Sequence, residues 1–319
     1  MAKFNCAYCQ GESGVEVNTY KHEWVVCQLC GNAFRSQKSK YLLPMLFPGP
    51  LGLLIPKKIK ALFYPAEAVK LNKSIAYDYY AGISGNKTAI GTKWEGELDT
   101  LLADLRGLNI ELEGKTVLDI SGGPGFRVKE MQGLTKRAVV TEYSQVAVDG
   151  MARNLGIEAI KYDYNSDQID QAVGGKFEVI LVINSMNYCF DLETFANDLK
   201  KVMNKDSVVF VNCVLPTLGY MLRWQLLEYN YNILYSYKSL RKTFLNAGFE
   251  IVAEQNRKSG FYGFNYLSRY SKKSIRAMML NFLRLASSIP YLIPAMFKSG
   301  LNKEKSVNKQ ILVLKLKEF

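Results

Sequence analysis

The 319-residue chain has a single histidine, His22. Any chemistry in its central or C-terminal parts must therefore proceed without an imidazole base, the side chain most often used for that task. It also lacks a spanning segment. No window reaches the ~18 uninterrupted apolar residues that cross a bilayer, and the nearest approaches, 41–65 and 275–297, are broken by proline. The opening MAKFNCAYCQGE has no apolar core of a secretory leader, which predicts a cytoplasmic, reducing setting where thiols stay free or bind metal. Disorder is excluded as well. With 48% hydrophobic and 22% charged residues, the chain can bury the core of one large α/β domain with an appendage.

Positive charge is abundant and unevenly placed. The formal charge is +12. Residues 35–73 hold eight basic side chains against Glu67, residues 255–319 hold thirteen against Glu304 and Glu318, and residues 74–254 are mildly acidic. The basic excess coincides with the proline-broken apolar stretches, YLLPMLFPGPLGLLIPKKIK (41–60) and SKKSIRAMMLNFLRLASSIPYLIPAMFKSGLNKEK (271–305). Such segments suit the anionic inner face of a membrane or a lipid-like molecule, and they serve equally as an ordinary lid packed on the domain.

Four of the six cysteines are concentrated near the start. Cys6, Cys9, Cys27 and Cys30 give C-x2-C-x17-C-x2-C, the spacing of a four-thiolate zinc site. Two-residue gaps turn each pair of sulfurs toward one ion, and four thiolates close its tetrahedron, which is the structural rather than the catalytic arrangement. Gly31 suits the tight turn after the second pair, and strand-like segments at 15–20 and 23–26 lie between the pairs. The expectation is a zinc ribbon over 1–40, too small to fold on its own core and held by its metal. His22 is either a substitute ligand or a solvated loop residue. Cys189 and Cys213 lie in apolar strand-like runs and read as buried thiols.

From about residue 95, strand and helix patterns alternate, which predicts a mostly parallel sheet covered by helices on both faces. Leu98, Leu101, Leu102 and Leu105 give residues 94–108 helical spacing. The strands are KTVLDI (115–120), AVVTE (138–142), IEAIK (157–161), FEVILVI (177–183) and SVVFVNCV (207–214), with 248–255 and 310–317 as a closing pair around the basic insertion. The glycine-rich turn 121–125 follows the first strand and opens a helix running through Met131, so backbone can approach a ligand at a helix N-terminus. Glu142 ends the second strand 23 residues after Asp119, where an acid accepts two ribose hydroxyls. A dinucleotide dehydrogenase uses the same parts, but the turn here is DISGGPG rather than G-x-G-x-x-G.

In order and spacing, VLDISGGPG (117–125), VTEYS (140–144), YDYN (162–165) and FEVILVINSMNYCFD (177–191) resemble the motifs of class I S-adenosylmethionine-dependent methyltransferases. The likeness covers about 75–255 and the last strand. It implies a Rossmann-like seven-stranded α/β sheet at 95–319, and the composition of the flanking segments adds the expectation of a helical linker or lid at 41–94 and a helical insertion at 257–309 before the last strand. It also implies S-adenosylmethionine as cofactor beside the structural zinc. By the same likeness Asp119 lies below the methionine portion and Gly123 and Gly125 admit the cofactor. Glu142 binds the ribose, Tyr143 lies against adenine, Asp163 accepts from the adenine amino group, and Asn184 sits near the methionine end. Tyr77 and Tyr80 close over the cofactor. Ser121 stands where glycine is usual, so the turn is expected to keep φ negative there or to shift slightly. Loop or core packing is the competing reading for each, strongest for Tyr77, Tyr80 and Asn184.

The acceptor is less legible. Methyl transfer needs alignment and, for some acceptors, a proton taken away. Beside the fourth-strand end, Asn187 could orient an acceptor and Tyr188 could shuttle a proton, while Asp191 capping a helix and Tyr188 packing are the plain alternatives. The aromatic stretch 215–237 and the basic insertion are expected to form the acceptor pocket. Three readings follow. The favoured one is a small or carrier-linked acceptor such as a sugar or lipid-linked glycan, similar to sugar methyltransferases with an N-terminal zinc-binding domain. The second is a ribosomal-RNA-type methyltransferase. It is partly supported by Phe261, Tyr262, Phe264, Tyr266, Arg269 and Tyr270, and opposed by the long aliphatic runs and the absence of an NPPY-type motif. The third is a non-catalytic, membrane-associated binder of S-adenosylmethionine.

Overall fold

A computed structural model of the chain describes residues 5–18, 23–35, 97–216, 233–258 and 307–317. They fall into two compact units. One contains 5–18, 23–35, 215–216, 233–239, 257–258 and 307–309, and the other contains 97–214, 240–256 and 310–317. The expected linker or lid at 41–94, nearly all of the insertion at 257–309, His22, Tyr77, Tyr80 and most of 215–237 lie outside the described residues. Among those described, no helix is long and apolar enough to cross a membrane.

In chain order the strands of the first unit are β1 (Gly14–Asn18), β2 (Glu23–Cys27) and β3 (Ala33–Arg35). The alternating part follows, with α1 (Glu97–Arg106), β4 (Thr116–Ile120), α2 (Phe126–Met131), β5 (Arg137–Glu142), α3 (Gln145–Leu155) and β6 (Glu158–Lys161). Then come α4 (Ile169–Val173), β7 (Phe177–Ile183), α5 (Leu192–Lys201) and β8 (Met203–Val214). The chain ends with β9 (Ile233–Leu234), α6 (Tyr237–Asn246), β10 (Phe249–Lys258) and β11 (Val307–Leu316).

The large sheet has the order β10-β11-β8-β7-β4-β5-β6. β4, β5, β6, β7 and β8 pair in parallel, as the crossover helices require. The closing pair behaves as the sequence predicts, with β11 inserted between β10 and β8. Central strands read as unbroken apolar runs because both faces are covered. One face carries Val117, Val140, Val179 and Leu181 against Leu101 and Leu105 of α1, Met131 of α2 and Met151 of α3. Side-chain alternation sends Leu118, Ile120, Ile180 and Val182 to the opposite face, and all four are fully buried. α4 and α5 pack on each other and on β6 and β8.

β8 starts four residues before the expected 207, and the sequence hides it. Phe177 pairs with Met203 and Val179 with Val208, so the polar Asn204, Lys205 and Asp206 bulge out of register. Ser207 clasps this bulge by accepting the Asn204 N–H and donating to the Phe177 carbonyl, both at 2.6 Å.

The small sheet has the order β1-β2-β3-β9. Its first three strands form the expected ribbon meander. Its fourth strand comes from Ile233 and Leu234, which pair with Phe34 and Ala33. Two residues carry no periodicity, so no sequence pattern announces this strand.

Candidate functional site

Two equivalent turns bring the four cysteine thiols together. In the first, Cys6 N–H donates to the Gly11 carbonyl and Gln10 N–H to the Cys6 carbonyl. In the second, Cys27 N–H donates to Asn32 and Gly31 N–H to Cys27, all four bonds being 2.9 Å long. Each turn closes on a left-handed residue, Gln10 at φ +59° and Gly31 at φ +76°. Gly31 has the role expected of it, whereas Gln10 holds the same shape with a Cβ, at a cost of about 1 kcal/mol.

The four Sγ atoms lie within 4.8 Å of one another, with Cys9 and Cys27 at 3.6 Å and Cys6 and Cys30 at 3.7 Å. A tetrahedral zinc with Zn–S bonds of ~2.3 Å needs sulfurs about 3.8 Å apart, so the cluster has the right size. Backbone N–H groups of Cys9 and Tyr8 point at Cys6 Sγ, and those of Cys30 and Leu29 at Cys27 Sγ. With protons in place, burial pushes the Cys6 thiol up to about 11 and Cys30 higher still. Burial also opposes the Cys27 thiolate, but the backbone donors hold that thiol below its usual value. None of the four is in a disulfide. Four crowded thiols, three of them with backbone amide donors turned toward them, fit a metal that displaces their protons, and four sulfurs leave it no open position.

The second turn is braced by a distant segment that the sequence did not reveal. Ser236 N–H donates to Asn32 Oδ1 at 2.8 Å across 204 residues, and Ser236 Oγ donates to the Cys30 carbonyl. Tyr8 Oη donates to the Ser239 carbonyl at 3.0 Å.

The other site lies at the carboxyl ends of β4, β5, β6 and β7. Asp119, on β4, is fully buried. After it the turn is gripped by β5, because Ser121 N–H donates to Thr141 Oγ1 at 3.1 Å and Gly122 N–H to the Thr141 carbonyl at 3.0 Å. Ser121 adopts φ +53°, so the expectation of a negative φ fails and serine takes the conformation glycine would. Gly122 has no room for a side chain unless its neighbours shift. A Cβ there would stand 2.5 Å from Asp119 Oδ2 and 2.6 Å from Val140 Cγ2. Gly123 N–H donates to Glu142 Oε2 at 3.2 Å, while Tyr143 N–H donates to Glu142 Oε1 at 2.9 Å. Turn and acid are thus joined directly. Gly125, at φ +78°, opens α2, and a Cβ on it would strike Met151 Sδ and Ile157 Cδ1 at 2.5 and 2.6 Å. Its glycine lets α2 pack closely.

Burial raises the Glu142 carboxyl to about 7 against the pull of the Tyr143, Ser144 and Gly123 N–H groups, and the charge on Asp119 adds to the rise. Tyr143, next to it, is 46% exposed.

Loops after β6 and β7 meet at the same end. Asp163 Oδ1 accepts from the backbone N–H and Nδ2 of Asn165 at 3.0 and 3.2 Å. Asn165 in turn donates to the Tyr188 carbonyl and accepts the Phe190 N–H, so it links Asp163 to Tyr188. Tyr164 Oη and Ser185 Oγ are 2.7 Å apart, and Ser185 Oγ donates to the Ile120 carbonyl at 3.2 Å. Neither Tyr164 nor Ser185 was singled out from sequence. Asn184 is the second left-handed non-glycine residue here, at φ +54°, its N–H donating to the Asn212 carbonyl at 2.7 Å.

Of the two acceptor-side candidates, Asn187 is fully buried. Its Nδ2 donates to the Val214 carbonyl at 3.3 Å, and Cys213 Sγ sits 3.8 Å from its Oδ1. Tyr188 is half-buried. Asp191 caps α5, accepting from Thr194 N–H at 3.0 Å and from Thr194 Oγ1 at 2.8 Å, and these bonds hold its carboxyl below the usual range against partial burial. Cys189 and Cys213 are buried thiols as expected, and burial pushes Cys189 up to about 12. Tyr80 lies outside the described residues.

A family model described as a methyltransferase domain matches residues 93–254. No curated protein matches the chain. Many solved structures are similar to it, three of which follow. A coclaurine N-methyltransferase bound to N-methylheliamine and SAH is 15% identical, with 85% of this chain and 96% of that one covered at a TM-score of 0.48. An S-adenosylmethionine-dependent methyltransferase from Clostridium acetobutylicum is 13% identical, covering 76% and 99% at 0.45. The N-methyltransferase NodS from Bradyrhizobium japonicum, in complex with S-adenosyl-L-homocysteine, is 11% identical, covering 76% and 99% at 0.45.

Proposed function

The chain belongs to the methyltransferase-domain family, and from that membership we propose that it binds S-adenosylmethionine over the turn after β4 and methylates a small or carrier-linked acceptor. The observation that carries the cofactor reading is the bond from Gly123 N–H to Glu142 Oε2. It unites a ligand-approachable backbone and a buried carboxylate between β4 and β5, beside the point where the strand order reverses from β4 to β7. Open α/β sheets bind ligands at that end of that crevice.

S-adenosylmethionine, when bound, supplies a methyl group on a positively charged sulfur that an acceptor lone pair displaces. The chain's residues bind and orient. Glu142 accepts the ribose hydroxyls, Tyr143 stacks, and Asp163 takes the adenine amino group with its position fixed by Asn165. Asp119, Ser121, Gly123 and Gly125 shape the turn beneath the methionine portion, near Asn184. Tyr188 is the group we assign to the acceptor and to its proton, since Asn187 is held by β8 and acts through position. Methyl transfer of this kind relies mainly on alignment, which suits a chain whose single histidine falls between the cysteine pairs.

For the acceptor we favour a polar small molecule, a sugar or a lipid-linked glycan handled at the cytoplasmic face of an anionic membrane. The strongly basic, apolar composition of 35–73 and 255–319 supports this reading. The four thiolates are assigned to a structural zinc. Calorimetric titration of zinc-replete protein with S-adenosylmethionine tests the cofactor site. Transfer of a labelled methyl group into lipid-linked glycans, sugars or bulk RNA then tests the acceptor. Label entering only RNA would overturn the acceptor assignment.

A further inference from the structure

Asp119 has a charged partner within the chain. Arg127, in the first turn of α2, forks onto it, with Nε donating to Oδ2 at 3.1 Å and Nη2 to Oδ1 at 3.3 Å. The carboxylate is fully enclosed and the guanidinium side chain is 13% exposed. Glycine at 122 leaves the space in which Asp119 Oδ2 sits. Turn, carboxylate and guanidinium therefore form one packed unit. Asp119 serves it as a brace, rather than as a free acceptor for the methionine ammonium.

The second buried carboxylate, Glu142, stands close enough to feel the charge on Asp119. Among the described residues, the groups acting on Glu142 include Asp119 from β4, the Tyr164 phenol from the segment after β6, and the Gly123, Tyr143 and Ser144 N–H groups. Of these groups, Asp119 is the one that Arg127 pairs with. A guanidinium on one enclosed carboxylate offsets that group's repulsion of a second, and losing the guanidinium favours the protonated form of the second.

We propose that Arg127 is a positioning residue for cofactor binding, neutralising Asp119 under the glycine turn so that Glu142 can ionise and accept the ribose hydroxyls. The inference rests on the cofactor reading above. Two readouts test it on the full-length, zinc-replete chain: carboxyl titration of 13C-labelled glutamate by NMR without cofactor, and S-adenosylmethionine affinity by calorimetry between about pH 6 and 9. Arg127→Met moves the Glu142 titration up by about one pH unit or more and carries the midpoint of the affinity profile with it. Arg127→Lys, which keeps the cation, stays near wild type. Asp119→Asn shifts both midpoints downward, and it carries the test should Arg127→Met fail to fold. An unmoved Glu142 titration in Arg127→Met or in Asp119→Asn overturns the proposal. Wild-type protein that binds no S-adenosylmethionine at any pH overturns the cofactor reading and this inference with it, and that control tells the two failures apart.

Discussion

Replacing Glu142 tests whether the acid at the end of β5 holds the ribose. The side chain is 6% exposed, and its two oxygens accept from Gly123 and Tyr143. Glu142→Ala removes a charged acceptor for two hydroxyls and leaves both N–H groups without their carboxylate. Hydrogen bonds to charged groups contribute about 1.5–3 kcal/mol, so the dissociation constant for S-adenosylmethionine should rise by about 10- to 150-fold at pH 8. The pH dependence gives a second handle. The folded-state carboxyl titrates at about 7, against an ordinary value of 4.5. Its proton therefore stabilises the cofactor-free fold fully below about pH 4.5, and that contribution is lost as pH rises through 7. Ribose binding needs the ionised form, so affinity should climb over the window in which the cofactor-free protein loses thermal stability. Glu142→Gln should flatten both curves. Calorimetry and thermal melts at several pH values read the effects. Glu142→Ala affinity within twofold of wild type would refute the ribose assignment.

Three further substitutions or treatments follow from the geometry. Gly122→Ala forces a Cβ to 2.5 Å from Asp119 Oδ2, and urea unfolding should register a loss of about 1–3 kcal/mol together with weakened cofactor binding. Gln10→Gly relieves the left-handed strain at φ +59° and should raise stability by about 0.5–1 kcal/mol in the same assay. Titrating the purified protein with a thiol-modifying reagent should release a single zinc ion, and Cys6→Ser or Cys30→Ser should abolish that release. Zinc retained in both variants would remove the four-thiolate assignment.

What was legible in the sequence follows from burial and spacing. β4 and β7 could be read because a strand enclosed on both faces must be apolar throughout, as in FEVILVI. The cysteine cluster could be read because a ribbon this small has no other means of folding, so its ligand spacing is written locally. Glu142 was singled out by its distance from Asp119, and Asp163 by the resemblance of YDYN to the family's acidic turn. β9, Ser236 and Ser239 were out of reach, because their partners lie about two hundred residues away and a two-residue strand has no period. The polar start of β8 reads as a loop because its three exposed residues do bulge, and only the Ser207 clasp keeps Met203 in the sheet. Arg127 was missed because an arginine in the first turn of a helix normally reads as a solvent-facing residue. Its partner was identified, but nothing in sequence says which cation a buried carboxylate takes.

Ser121 and Asn184 show why local preference failed at the site. From its own steric preferences a serine should avoid φ above zero, and the same holds in weaker form for asparagine. At Ser121 the backbone has little choice. Thr141 takes the N–H groups of both Ser121 and Gly122 through its hydroxyl and its carbonyl, and the left-handed turn is what brings those two donors onto one residue of β5. At Asn184 the N–H is likewise taken by Asn212 of β8 at 2.7 Å. Each strained residue costs on the order of 1–2 kcal/mol, and each is held by a neighbouring strand of the parallel sheet. The two stand at the ends of β4 and β7, on either side of the reversal in strand order. Strain kept by over-determined backbone bonds on both sides of a crevice is a mark of a functional edge. The same bonds explain why the mark is invisible in a single sequence, since the residues that impose it lie 20 and 28 positions away.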